Sequence, residues 1–263
     1  MSFLEINGLS VGYGKKTILQ NVSLSAPKGT LNAIIGANGC GKTTALKAIC
    51  GILPHGGTCT LDGLSLERLS PKEISRVCSY IPQRSGISIE LSALDVVLMG
   101  FNPKLGLLEH PNDNMKRKAL EALFTVGLGE RANNDFLTLS EGQKQLCILA
   151  RTLVSDAKLL LLDEPESALD FRFRYQMLNV LKKWIAEGEK TALLTLHDGN
   201  LALNFCDRLF VIANGGLAGV IYPRTDSPER MEALLRTIYG NISLAKCYDR
   251  KGNAHMIILN EDT

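Results

Sequence analysis

The hydrophobic pattern divides the chain into three stretches. Over residues 3–35 apolar and polar positions alternate, punctuated by Gly8, Gly12, Gly14 and Gly29. A period of two sends successive side chains to opposite faces, so this stretch reads as short antiparallel strands with turns at those glycines. It runs into TLNAIIG (30–36), a buried strand, with a helix expected over 42–52. TCTLDG (58–63) and RVCSYIPQ (76–83) read as two more strands.

Residues 84–155 change period. SALDVVLMG, NMKRKALEALFTVGL and SEGQKQLCILARTLV fit amphipathic helices, with no strand among them. Beyond them, LLLLD (159–163) and TALLTL (191–196) are strand-length and rich in apolar residues, and alternate with helical stretches at 171–187 and 199–205. That is the βαβ pattern of a parallel sheet. The tail reads as strand, strand, helix (228–239) and hairpin (242–259). The expected fold class is α/β: a parallel-sheet core, an antiparallel β subdomain at the N-terminus and an inserted α-helical subdomain. In 263 residues this forms one domain, with 1–83 and 156–225 as core, 84–155 as the helical part and 226–263 as a short C-terminal extension.

Composition narrows the classes. Apolar residues make up 45% and charged residues 21%, with a net charge of +2, which suits a globular protein and gives no basic footprint for nucleic acid. The seven cysteines are odd in number and lack CxxC spacing, so reduced thiols are expected. MSFLEINGLSVGYG has no basic stretch followed by an apolar one, and no signal peptide is expected. No apolar run approaches the ~20 residues of a membrane span.

GANGCGKT (36–43) fits G-x-x-x-x-G-K-[ST], the phosphate-binding loop of P-loop NTPases. Glycines let the backbone curl so that several N–H groups converge on one phosphate chain, and the following helix adds its positive end. Lys42 supplies a point charge and Thr43 a hydroxyl for Mg²⁺. LLLLDE (159–164) is an apolar strand ending in two acids. Buried carboxylates need partners, and Mg²⁺ gives Asp163 one. Glu164 is then placed to orient and deprotonate a water.

LSEGQKQ (139–145) lies between these motifs, and with it the chain resembles the ATP-binding-cassette ATPases, whose signature reads LSGGQ. Gln83 in SYIPQ matches the family's Q-loop, SALD (167–170) its D-loop, His197 in TLHD its switch histidine, and Tyr13 in VGYG its adenine-stacking aromatic. The resemblance implies an ATPase that uses ATP and Mg²⁺. Catalytic roles fall on Glu164, His197, Gln83 and Lys42, and metal contacts on Thr43, Gln83 and Asp163. Nucleotide contacts are implied for Tyr13, for Gly36, Asn38, Gly39, Cys40 and Gly41, for Lys42, Thr43 and Thr44, and for Gln83. It also implies a head-to-tail homodimer, in which Ser140, Gly142, Gln143 and Asp170 reach a nucleotide held by the other copy.

Three positions depart from the family's usual wording: Glu141 for a glycine, Glu166 for a threonine and Cys40 for a serine. Glu141 either repels the γ-phosphate or points into solvent. Cys40, among N–H groups beside Lys42, is expected to favour the thiolate, so that its alkylation blocks ATP binding.

VVLMGFNPKLGLLEHPNDNMKRKALEAL (96–123) and LTLHDGNLALNFCDRLFVI (194–212) are similar to ATPases of iron–siderophore, haem and cobalamin importers. That resemblance implies a subunit on the cytoplasmic face of the inner membrane, docked on integral membrane permease subunits through residues between Gln83 and Gly106. A substrate-binding protein is an indirect partner. An exporter subunit and a non-transport ATP switch remain as alternatives.

Overall fold

The computed structural model describes residues 2–83, 86–106 and 108–262. Strands β1 (Leu4–Tyr13) and β2 (Lys16–Ala26) form an antiparallel pair, joined on the other side of β1 by β4 (Gly56–Leu61) and the short β5 (Leu64–Ser65), in the order β2-β1-β4-β5. The strands are longer than the glycines suggest. Gly8 and Gly12 lie inside β1 where its register with β2 shifts, so they mark bulges, and of the first three glycines only Gly14 sits in the turn.

The central sheet has six strands, in the order β10-β9-β3-β8-β7-β6: β3 (Leu31–Gly36), β6 (Cys78–Ile81), β7 (Leu159–Asp163), β8 (Thr191–Thr195), β9 (Arg208–Ala213) and β10 (Gly216–Ile221). All neighbours are parallel except the β9–β10 hairpin at one edge. The apolar runs are explained by two-sided burial. Along β7, Leu160 and Leu162 face one core and Leu159 and Leu161 the other. One core lies between this sheet, the antiparallel sheet and α1 (Lys42–Ile49). The other is covered by α3 (Ala93–Leu98), α4 (Asp113–Thr125), α5 (Glu141–Leu153), α6 (Phe171–Ala186) and α7 (Gly199–Phe205).

The three helices between β6 and β7 stand where the pattern placed them. RVCSYIPQ does not form one strand: Arg76 and Val77 belong to α2 (Pro71–Val77), and β6 covers only Cys78–Ile81. Ser70 caps α2 in a capping box with Glu73, and Pro71 occupies its first turn. The helix expected over 42–52 ends at Ile49. The chain finishes with α8 (Pro228–Tyr239) and a hairpin of β11 (Ile242–Tyr248) and β12 (Ala254–Asn260). No helix among the described residues is long and apolar enough to cross a membrane.

Candidate active site

The site gathers at the C-terminal ends of the parallel strands, where open α/β sheets place their ligand crevices. β3 delivers the glycine loop. Gly41 precedes α1 with φ 107°, a conformation closed to other residues without strain. Lys42 is 5% exposed and folds over this loop, donating to the carbonyls of Gly36 at 2.9 Å and Ala37 at 3.3 Å.

A cavity of about 490 Å³ opens above the loop. Tyr13, Asn38, Gly39, Gly41, Lys42, Thr43 and Thr44 line it on one side, Glu164 and His197 on the other. Tyr13 is half exposed at its mouth, free to present its ring to a planar group.

β7 delivers Asp163 and Glu164. Asp163 is 3% exposed, and its carboxylate is held by three hydroxyls: Thr43 and Thr195 donate to Oδ1 at 2.9 Å each, and Tyr80 approaches Oδ2 at 3.3 Å. Burial, with the nearby Asp163 charge, pushes the Tyr80 phenol far above its ordinary range, so it stays a donor. Glu164 carries φ 47°, a left-handed conformation unusual for a non-glycine residue. Its amide donates to the Thr195 hydroxyl at 2.8 Å. Its carboxylate spans two partners: Gln83 Nε2 donates to Oε2 at 2.7 Å, and His197 Nε2 lies 2.5 Å from Oε1. Gln83 is itself held from α5, since Gln145 Nε2 donates to its carbonyl.

Ser140, Gly142, Gln143 and Asp170 do not line this cavity. Ser140 caps α5 in a capping box with Gln143, exposed at the helix N-terminus. Asp170 caps α6 by accepting the Phe173 amide at 3.0 Å. Glu141 is 77% exposed and pairs with Lys144 at 2.8 Å, so its side chain turns along the helix into solvent.

The thiolate expected at Cys40 does not arise. Its side chain folds back beside Gly36, and burial raises the thiol pKa against the opposing charge of Lys42. Thr195 and Tyr80 escaped sequence reasoning. A lone threonine at the end of an apolar strand and a tyrosine three residues before Gln83 carry no motif until the sheet sets them against Asp163.

Residues 19–167 match the ABC transporter family model. The chain belongs to the ABC transporter family. It is 32% identical to the iron(3+)-hydroxamate import ATP-binding protein of Bacillus subtilis, over 82% of this chain and 80% of that one. It is also 32% identical to the manganese transport system ATP-binding protein of the same organism, over 92% of this chain and 95% of the relative. Among solved structures it matches a metal-chelate type ABC transporter in an inward-facing conformation, with a TM-score of 0.81, 25% identity and 99% coverage of both chains. This ABC protein is an ATPase of the ATP-binding-subunit type, with the α/β cassette and antiparallel N-terminal sheet that its hydrophobic pattern implied.

Proposed function

We propose that this ABC ATPase powers import of a chelated metal, of the iron–siderophore, haem or cobalamin class, through separate permease subunits. The observation that carries the hydrolytic part is the placement of Glu164 between Gln83 and His197 at the edge of the cavity above Lys42.

In this reading ATP enters with adenine against Tyr13 and its phosphates over the amides from Asn38 to Thr44. Lys42 exchanges the Gly36 and Ala37 carbonyls for phosphate oxygens. The donors around Asp163 are hydroxyl and carboxylate oxygens, a hard set that fits Mg²⁺, and Thr43, Asp163 and Gln83 would hold it. Bound there, Mg²⁺ supplies charge neutralisation at the phosphate oxygens. Glu164 orients the attacking water and accepts its proton. His197 fixes the Glu164 carboxylate and reaches toward the γ-phosphate, and Gln83 reports the occupancy of the site to the helical segment through Gln145.

Ser140 and Gly142 are exposed or half-exposed at the start of α5 and do not line their own chain's cavity. A second copy docked head to tail brings them onto the γ-phosphate, as the family resemblance implies. ATP then bridges the two copies, and cleavage removes the bridge. A groove of about 340 Å³ between β6 and the segment 99–103, lined by Ser79, Met99, Pro103 and Arg151, is the surface for a permease helix. Such docking would hold the protein at the cytoplasmic face of the inner membrane.

The chelate class is supported by the hydroxamate-import relative and by the full-length likeness to a metal-chelate transporter. The manganese relative favours a second reading, import of the free metal ion. Deletion of the gene, followed by growth on ferric hydroxamate, hemin, cobalamin or manganese as limiting nutrient, separates the readings. Loss of growth on one chelate alone supports the proposal, loss on manganese alone supports the second reading, and normal growth on all four contradicts both.

A further inference from the structure

α7 begins two residues after His197, and it is tied to the end of the chain. Asn204 Nδ2 donates to the Met256 carbonyl at 2.8 Å, and its Oδ1 accepts the Met256 amide at 3.0 Å. One turn earlier, Asn200 Oδ1 accepts the Ile258 amide at 2.8 Å. The spacing explains why this works. Helix positions four apart are separated by about 6 Å along the axis, and strand positions two apart by about 6.8 Å. Two asparagine side chains on one helix face therefore meet alternate residues of β12, on the edge turned away from β11, and satisfy backbone groups that a third strand would otherwise take.

The join is tight where it meets the switch loop. A Cβ added at Gly199 would sit 2.5 Å from Ile258 Cδ1 and 3.0 Å from the Tyr239 hydroxyl. That hydroxyl, on the last residue of α8, lies 3.3 Å from the His197 carbonyl oxygen. Asp198, next to the histidine, caps α7, accepting the amides of Asn200 at 2.9 Å and Leu201 at 3.0 Å. From the opposite side, Glu166 Oε1 accepts the His197 amide at 3.0 Å. The main chain of His197 is thus held between the loop after β7 and the C-terminal unit.

We infer that α8 and the β11–β12 hairpin form a brace for the switch histidine, and that Asn204 and Tyr239 are positioning residues for ATP hydrolysis. The inference rests on the reading of His197 given above. The brace fixes where the imidazole stands relative to Glu164 without touching nucleotide. Its loss therefore lowers turnover and leaves nucleotide binding in place.

The test uses the full-length chain with Asn204→Ala, Tyr239→Phe and the double variant, with His197→Ala as reference. Tyr239→Phe keeps the ring against Gly199 and removes only the hydroxyl, so it folds even where Asn204→Ala does not. Three quantities are read: kcat and KM for ATP, and hydrogen exchange of the 197–203 amides without nucleotide. The brace predicts exchange faster by about fivefold or more, kcat lower by about three- to tenfold and KM within about twofold. It also predicts a double variant little worse than the poorer single one, because both act on one element. Unchanged exchange overturns the brace. Faster exchange with unaltered kcat, or a loss confined to KM, overturns the positioning role. Wild-type turnover in His197→Ala instead removes the reading of His197, with the exchange result still deciding whether the brace exists.

Discussion

The Thr195 hydroxyl links the two acids at the end of β7: it donates to Asp163 at 2.9 Å and accepts the amide of Glu164 at 2.8 Å. One side chain on the neighbouring strand thereby orients the carboxylate assigned to the metal and holds the left-handed backbone that aims the carboxylate assigned to the water. Replacing it with the isosteric valine leaves a buried carboxylate short of a donor and an amide without its acceptor. Thr195→Val is expected to lose about 1–3 kcal/mol of stability and about tenfold in kcat. Chemical denaturation and steady-state phosphate release check both.

Glu141 replaces a glycine of the family signature, yet it points along α5 toward Lys144. An exposed pair of this kind contributes about 0–1 kcal/mol and leaves little charge directed at a neighbouring nucleotide. Glu141→Gly is expected to change ATP turnover by less than about threefold. A large gain in phosphate release would show that the carboxylate does oppose closure.

Cys40 lies in the phosphate loop, but burial keeps its thiol protonated at neutral pH. Alkylation by iodoacetamide in nucleotide-free protein is expected to be slower than for a free thiol at pH 7.5 and to accelerate as pH rises beyond the ordinary thiol range. Peptide mass spectrometry against pH follows this directly. Rapid labelling at pH 6.5 would restore the thiolate.

Glu166 is 3% exposed, and one of its carboxylate oxygens has no hydrogen-bond partner. Burial raises its pKa above the ordinary carboxylate value; the His197 amide, its own amide and the charge of His197 oppose this, and the charge of Glu164 adds to it. The fold therefore favours the protonated form. Its contribution to stability is fully present below the unfolded carboxylate pKa and is lost as pH rises through the higher folded value. Glu166→Gln, which mimics the protonated state, is expected to raise the stability relative to wild type at pH 7.5 and to lose that advantage near pH 4.5. Denaturation of both proteins across this range measures it.

Much of the architecture is local and was readable. The apolar runs of β7 and β8 are buried on both faces, and the period change at 84–155 marks real helices. The phosphate loop and the acidic strand are contiguous in sequence, so their chemistry is visible without a fold. What stayed hidden depends on register between distant strands. Thr195 meets Asp163 only because β8 pairs with β7 in that alignment, and Tyr80 only because β6 pairs on the other side. α2 went unread, because the last turn of this seven-residue helix runs straight into β6 and Arg76 and Val77 look like the start of the strand. The asparagine spacing of α7 has no meaning until β12 lies beside it.

The central claim is that ATP bridges two copies, with Glu164 needed to break the bridge. The most direct measurement is the mass in solution of Glu164→Gln with ATP and Mg²⁺, by light scattering, with and without a further Ser140→Ala change. The account predicts a stable dimer with ATP, a monomer with ADP, and a weakened dimer when the Ser140 hydroxyl is removed. A Glu164→Gln protein that binds ATP but stays monomeric, or hydrolyses it at the wild-type rate, would contradict it.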